Sequence, residues 1–274
     1  MNNKYSQWLL VSDIDGTLNS KKRQTPECNI KAVEAFTSKS GNFTLCSGRN
    51  LSSLSTQYKK LKTHTPAICL NGAGIYDFSD EKTIYYNPIS SEGERIILDL
   101  KNKYKSLQLT VFDMDSIYMY KRSCLYGFTV SLLDGINRKL CLNSSDLPSG
   151  RWGKATLFGL PSICKKAEGI LKGDNNKKYV DCFFTSPFSL EIVNKGVNKG
   201  SAVKQLSEIL SVKPENVAAI GDYYNDVAML KSVAHPVCCG QAPEDIKNIC
   251  EYVTCHCDDG AVADFINYIE ENYI

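Results

Sequence analysis

The sequence predicts an α/β protein: a doubly wound, mainly parallel, Rossmann-like core sheet with an inserted α+β cap domain. Three observations predict it. Short apolar runs alternate with helical patterns at the start of the chain, as a parallel sheet with covering helices requires. Between about Glu81 and Ile192 that rhythm stops, Tyr, Phe and Lys become commoner, and turn signals crowd together. From Lys199 the first rhythm returns. The expected division is therefore residues 1–82 for the first part of the core, 83–190 for the inserted cap and 191–274 for the second part of the core.

Taken in order, Trp8-Leu9-Leu10-Val11 is apolar without alternation and reads as a strand buried on both faces. Pro26 to Ser40 has helical spacing, with Ile30, Val33, Ala35 and Phe36 apolar and Gly41 closing it. Phe43 to Cys46 reads as a second strand, Leu51, Leu54, Tyr58 and Leu61 as a second helix, and Ala67 to Leu70 as a third strand. In the middle, Leu109 to Phe112 and Ile117 to Tyr120 flank Asp113-Met114-Asp115-Ser116 as a hairpin. Ile163 to Leu171 reads as a helix and Val180 to Thr185 as a strand. Lys199 to Leu210 is then an amphipathic helix and Val217 to Ile220 a buried strand; a helix starts at Asp226 to Leu230. Pro236 to Cys239 and Tyr252 to Thr254 read as strands, and Ala261 to Tyr268 as the last helix.

Bulk properties exclude several classes. A formal charge of +2 gives no electrostatic reason to expect a nucleic acid or an anionic membrane as partner. No run approaches the ~20 apolar residues of a membrane span, and the polar segment Met1 to Gln7 leads straight into a strand without a signal-peptide pattern. The expectation is a cytoplasmic protein, a monomer or weak homo-oligomer, whose 12 cysteines are reduced thiols. Cys238-Cys239 and Cys255-His256-Cys257 lack the two paired C-x₂-C sets of a structural zinc site.

The chemistry gathers at strand ends. Asp13-Ile14-Asp15-Gly16 follows the first strand directly. Two carboxylates that close repel, each raising the cost of ionising the other, so a cation is expected between them. Strand ends are also where open α/β sheets hold ligands. A second D-x-D, Asp113-Met114-Asp115, has no Gly-Thr after it and reads as a simple turn. Ser47-Gly48-Arg49 follows the second strand, Asn71-Gly72-Ala73 the third, Lys199 starts a helix, and Gly221-Asp222-Tyr223-Tyr224-Asn225-Asp226 follows the buried strand of the second half.

These motifs, in this order, resemble the haloacid dehalogenase superfamily, and within it the Cof-type phosphatases with a type IIB cap. The matching stretches are DIDGTL (13–18), LCSGR (45–49), NGA (71–73), EIVNKGVNKGSAV (191–203) and GDYYNDVAML (221–230). The tail segments 242–248 and 252–266 match too, so the likeness spans the whole chain. It implies a magnesium-dependent phosphatase acting on a small phosphorylated metabolite, a sugar phosphate or a related compound. By resemblance Asp13 is the nucleophile, forming an aspartyl-phosphate. Asp15 protonates the leaving oxygen and then takes a proton from water. Mg²⁺ is expected on Asp13, the main-chain carbonyl of Asp15 and Asp222. Asp226 stands behind them, holding a metal-bound water or the Lys199 ammonium, although a helix-start carboxylate favoured by the dipole is an equal reading. Ser47, Lys199, Gly48, the Ile14 amide and Asn225 are expected around the phosphoryl group, with Arg49 and Asn71 as weaker candidates.

The cap is expected to close over the strand ends and contact the leaving group. Its aromatic and basic candidates are Tyr118, Tyr120, Arg122, Arg151, Trp152 and Lys154. Two other readings remain open from sequence. One is a phosphomutase of the same cap class, the other a non-catalytic phosphosugar-binding regulator.

Overall fold

The computed structural model describes residues 3–120 and 138–274. Strand β1 (Leu9–Ser12) is wholly buried, as its unbroken apolar run requires. Helix α1 (Glu27–Ser38) buries Val33 and Phe36, and Gly41 follows it where a Cβ would strike the Phe36 ring. Strand β2 (Asn42–Leu45) then pairs parallel to β1, Leu9 opposite Asn42 and Ser12 opposite Leu45. Helix α2 (Leu51–Leu61) leads to β3 (Ala67–Cys69), β4 (Gly74–Asp77) and β5 (Lys82–Tyr86).

Here the structure departs from the sequence expectation. β3 does not extend the parallel ladder beyond a single bridge, Cys46 to Ile68, and instead heads a separate sheet in the order β3-β4-β5. The cause is local. Leu70, Asn71 and Gly72 all adopt positive φ, 53°, 58° and 100°, which turns the chain back antiparallel as β4. Gly72 is required there, because a Cβ would collide with the Asn198 carbonyl oxygen.

The chain divides into two compact units, one of Met1–Gly48, Leu54–Ile84 and Asn198–Ile274, the other of Arg49–Ser53 and Tyr85–Val197. The second unit begins its own helices with α3 (Ser91–Lys103), a helix not anticipated from the sequence. Its signals are good: Ser90 accepts from the Gly93 N–H at 3.2 Å, Glu92 and Glu94 sit in the first turn, and Lys101 and Lys103 in the last. Strands β6 (Gln108–Phe112), β7 (Ile117–Tyr120), β8 (Arg138–Cys141) and β9 (Lys154–Phe158) follow, then α4 (Pro161–Leu171), β10 (Val180–Ser186) and β11 (Ser189–Asn194). The described sheet has the order β10-β11-β9-β6-β7-β8 and is antiparallel except at β7–β8. Ile97, Leu109, Val111, Leu157, Ala167 and Ile192 belong to its buried core. The boundaries read from sequence, 82/83 and 190/191, fall inside β5 and β11. The chain passes from one unit to the other at 48/49, 53/54, 84/85 and 197/198.

The expected β6–β7 hairpin forms, and Asp113 closes it. Its Oδ1 accepts from the main-chain N–H of Asp115 at 2.9 Å and of Ser116 at 2.6 Å, while Oδ2 accepts from Tyr118 Oη at 3.1 Å and pairs with Arg151 at 3.1 Å. This D-x-D is a structural turn, as its flanks indicated.

The first unit resumes with α5 (Lys199–Ile209), β12 (Val217–Gly221), α6 (Val227–Leu230), β13 (His235–Cys238), α7 (Glu244–Lys247), β14 (Tyr252–Val253) and α8 (Ala261–Tyr273). Its described core sheet is parallel throughout, in the order β14-β13-β12-β1-β2. α1 packs against α8, and α5 against α6. The chain leaves β1 on one side for β2 and returns on the other as β12, so the order reverses beside β1, where such sheets open a crevice at their carboxyl ends. No helix among the described residues is long and apolar enough to cross a membrane.

Replacing Asp113 by Ala strands two main-chain N–H groups and the Tyr118 hydroxyl. We expect Asp113→Ala to destabilise the second unit by about 2–4 kcal/mol, read as a lower denaturation midpoint of that unit.

Candidate active site

Because the core strands run parallel, β1, β2 and β12 deliver Asp13, Ser47 and Asp222 to the same edge. Asp13 continues the β1 ladder, its N–H donating to Ile220 O at 3.1 Å, and is nearly inaccessible. The chain then turns tightly, with Leu18 N donating to Asp13 O at 3.3 Å and Asn19 N to Ile14 O at 2.8 Å. Gly16 makes the turn possible. Its φ is +87°, and a Cβ would lie 2.5 Å from Asp222 Oδ2. Ile14 buries its side chain, and its main-chain N–H has no hydrogen bond among the described residues. Asp15 is exposed.

Lys199 joins the two halves of the core. It opens α5, is almost fully buried, and its Nζ donates to Asp13 Oδ1 at 2.5 Å and to Asp226 Oδ1 at 2.6 Å. Asp226 has no exposed surface, and its second oxygen accepts from the main-chain N–H of Asp222 at 3.1 Å and of Tyr223 at 3.3 Å. Both Asp226 oxygens are thus committed to Lys199 and the backbone. The geometry joins the two functions weighed from sequence, since the same carboxylate closes a helical first turn and holds the lysine. Gly221 leaves room for it, since a Cβ there would lie 2.6 Å from the Asp226 Cβ.

Asp222 accepts from Thr17 Oγ1 at 3.1 Å. Candidate ligand oxygens of Asp13, Asp222 and Asp226 lie within 4.8 Å of one another. Three carboxylates facing one ammonium leave the cluster short of positive charge. Burial first, and the Asp226 carboxylate second, push the Asp13 carboxyl up to about 7. The same two causes, in the same order, raise Asp222 to about 6. Burial works against the Lys199 ammonium, but Asp13 and Asp226 outweigh it and hold it above the ordinary lysine value. A hard-oxygen donor set with excess negative charge fits a hard divalent cation such as Mg²⁺.

Ser47 is buried two residues beyond the end of β2; its N–H donates to Ile68 O at 3.0 Å and its carbonyl accepts from Asn71 N at 3.0 Å. A Cβ on Gly48 would lie 2.7 Å from Asn71 Oδ1, so the Asn71 amide crowds that backbone. Arg49 belongs to the second unit. Asn225 is half-buried in the 3₁₀ turn Tyr224–Asp226.

Within the second unit, Tyr120 and Trp152 are core side chains. Tyr118 is spent on Asp113, and Lys154 pairs with Glu191 at 3.1 Å while lying over the Phe112 ring. Arg151 is exposed and pairs with Asp113; Arg122 lies outside the described residues. His256, Cys257 and Asp258 also fall within 4.8 Å of one another. They are consecutive residues of one loop, where His256 Nδ1 accepts from Asp258 N at 3.1 Å and Asp258 Oδ1 from Lys21 N at 2.8 Å.

The fold and this constellation define a class. The profile of the haloacid dehalogenase-like hydrolases matches residues 10–266, and the chain belongs to that family. It is an enzyme of the Cof-type phosphatase branch that the motifs indicated. Among its relatives, the 5-amino-6-(5-phospho-D-ribitylamino)uracil phosphatase YcsE of Bacillus subtilis is 25% identical over 247 residues, covering 90% of this chain and 89% of that protein. A haloacid dehalogenase-like hydrolase from Bacteroides thetaiotaomicron superposes with a TM-score of 0.86 at 23% identity, covering 96% of this chain and 99% of that one. The subclass IIB sugar phosphatase BT4131 does so at 0.80 and 22%, covering 96% and 99%.

The raised carboxyl values fix a sign. A carboxyl whose pKa is higher in the folded protein adds stability below its unfolded value, and that stability is lost as pH rises through the folded value. In metal-free buffer the melting temperature of Asp13→Asn should therefore gain on the wild type between about pH 5 and pH 8. Lys199→Met should do the opposite. It abandons a fully buried Asp226, at a cost of about 3–5 kcal/mol in chemical denaturation.

Proposed function

We propose that the chain is a Mg²⁺-dependent phosphomonoesterase that hydrolyses a small phosphorylated metabolite, a sugar phosphate or a related compound, through an aspartyl-phosphate on Asp13. The observation that carries this reading is the cluster of buried Asp13 and Asp226, paired with Lys199, and half-buried Asp222 at the carboxyl ends of the core strands. The names of the relatives, a ribitylaminouracil-phosphate phosphatase and a sugar phosphatase, support the substrate class.

Each residue has a task that its surroundings suit. Lys199 engages Asp13 Oδ1, and Oδ2 has no hydrogen bond among the described residues, so Oδ2 is the oxygen available to attack phosphorus. Lys199 remains an ammonium and screens the nucleophile from the phosphoryl oxygens it approaches. The Ser47 hydroxyl and the Ile14 N–H donate to those oxygens. Asp15, exposed while Asp13 is buried, protonates the departing oxygen and then accepts a proton from the hydrolytic water. Asp226 keeps Lys199 in place and Thr17 orients Asp222. Bound Mg²⁺, on Asp13, the Asp15 carbonyl and Asp222, would supply the positive charge that the cluster lacks.

A screen of phosphorylated metabolites with and without Mg²⁺ tests the reading. Wild type should release inorganic phosphate from some of them only when Mg²⁺ is present. Asp13→Asn should lose activity by about 10³-fold or more while keeping its fold. Release without metal, or full activity in Asp13→Asn, would overturn the assignment.

A further inference from the structure

The geometry points to Gln241 as a positioning residue for the nucleophile turn, acting through the Gly16 carbonyl. Gln241 stands outside every motif that identified the site, on the loop that follows β13. That loop is firmly mounted. Cys239 N donates to Gly221 O at 3.2 Å, Gly240 N to Cys255 O at 3.1 Å, and Ala242 N to Cys239 O at 2.9 Å. From it the Gln241 side chain, half-buried, reaches back past β12 to the turn after β1, and Nε2 donates to Gly16 O at 2.5 Å. Its Oε1 accepts from Cys257 N at 3.0 Å.

The two contacts fix the amide without ambiguity, because a carbonyl oxygen can only accept and a main-chain N–H can only donate. One planar group therefore clamps the nucleophile turn to the loop at Cys257. A separate link, Lys21 N to Asp258 Oδ1 at 2.8 Å, joins the segment after this turn to the same loop.

The Gly16 carbonyl lies between the residues whose placement matters most. On one side is Asp15, the proton carrier of the proposed reaction. On the other is Thr17, which donates to Asp222. Gly16 itself is pressed against Asp222 so closely that a Cβ has no room. The turn's own bonds are long in places, Thr17 N to Ile14 O being 3.4 Å and Leu18 N to Asp13 O 3.3 Å. A short external donor at Gly16 limits rotation of that peptide, and so limits drift of Asp15 relative to Asp13. Errors of about 1 Å in such groups cost about 100-fold in rate.

The inference rests on the phosphatase reading for its catalytic part, and its test separates the two. Gln241→Met keeps the bulk and loses both hydrogen bonds. Gln241→Glu keeps the acceptor for Cys257 N and loses the donor to Gly16 O. With a substrate found for the wild type, both variants should lose about 10- to 100-fold in kcat, with KM changed by less than about threefold. Amide hydrogen exchange at Leu18 and Asn19 should quicken about tenfold in both, with exchange in β12 unchanged. A kcat within twofold of wild type, or unaltered exchange in the turn, would overturn the inference. So would a loss in Gln241→Met that Gln241→Glu does not share, because the residue would then serve only the Cys257 loop. Failure of the wild type to hydrolyse any phosphomonoester counts against the phosphatase reading alone. The exchange measurement then decides whether Gln241 holds the turn.

Discussion

Three carboxylates, two of them almost fully buried, share one ammonium in this protein, and the surrounding structure is arranged to tolerate that imbalance. Lys199 begins α5, where the helix dipole disfavours a cation, so its position there makes sense only through Asp13 and Asp226. Asp226 in turn is held by two main-chain N–H groups as well as the lysine, which lets a carboxylate remain completely buried. Gly16 and Gly221 are empty of side chain where the aspartates press closest. The parallel sheet supplies the one thing that local sequence cannot. It brings the ends of β1 and β12 side by side.

Much of this was legible in the sequence, for reasons that can be named. Fully buried parallel strands such as β1 and β12 leave unbroken apolar runs, and the helices between them carry a clear period. The second D-x-D is readable as a turn because no Gly-Thr follows it and both flanks look like paired strands, and Asp113 performs that task with four partners. β3 was misread because its apolar run is identical in kind to that of a parallel strand. The deciding feature is the left-handed backbone at Leu70, Asn71 and Gly72; Asn-Gly is itself a hairpin signal, and only Leu70 has a residue type that does not announce it. Helix α3 is hard to read from sequence despite its Ser90 cap, since it falls where short strands dominate the pattern.

Side-chain roles were legible only where several motifs constrained one another. Asp13, Asp222, Asp226 and Lys199 were picked out together, and the structure brings them together. In the cap, residue type was the sole guide, and Tyr120 and Trp152 prove to be ordinary core while Lys154 is paired with Glu191. Gln241 could not have been found this way. Its partner at Gly16 is 225 residues distant, and a lone glutamine in a loop carries no spacing signal.

The insertion of one unit within the other also sets a schedule. β1 is made first, yet its partner across Leu9 is Val217, which a ribosome adds roughly 10–40 s later at ordinary rates of synthesis. The second unit, continuous apart from Arg49–Ser53, is completed in that interval. Through the same interval β1, the most apolar strand of the core, has only β2 beside it and one edge open. The arrangement that gathers the acidic residues at one sheet edge therefore exposes the nascent chain to mispairing until β12 emerges.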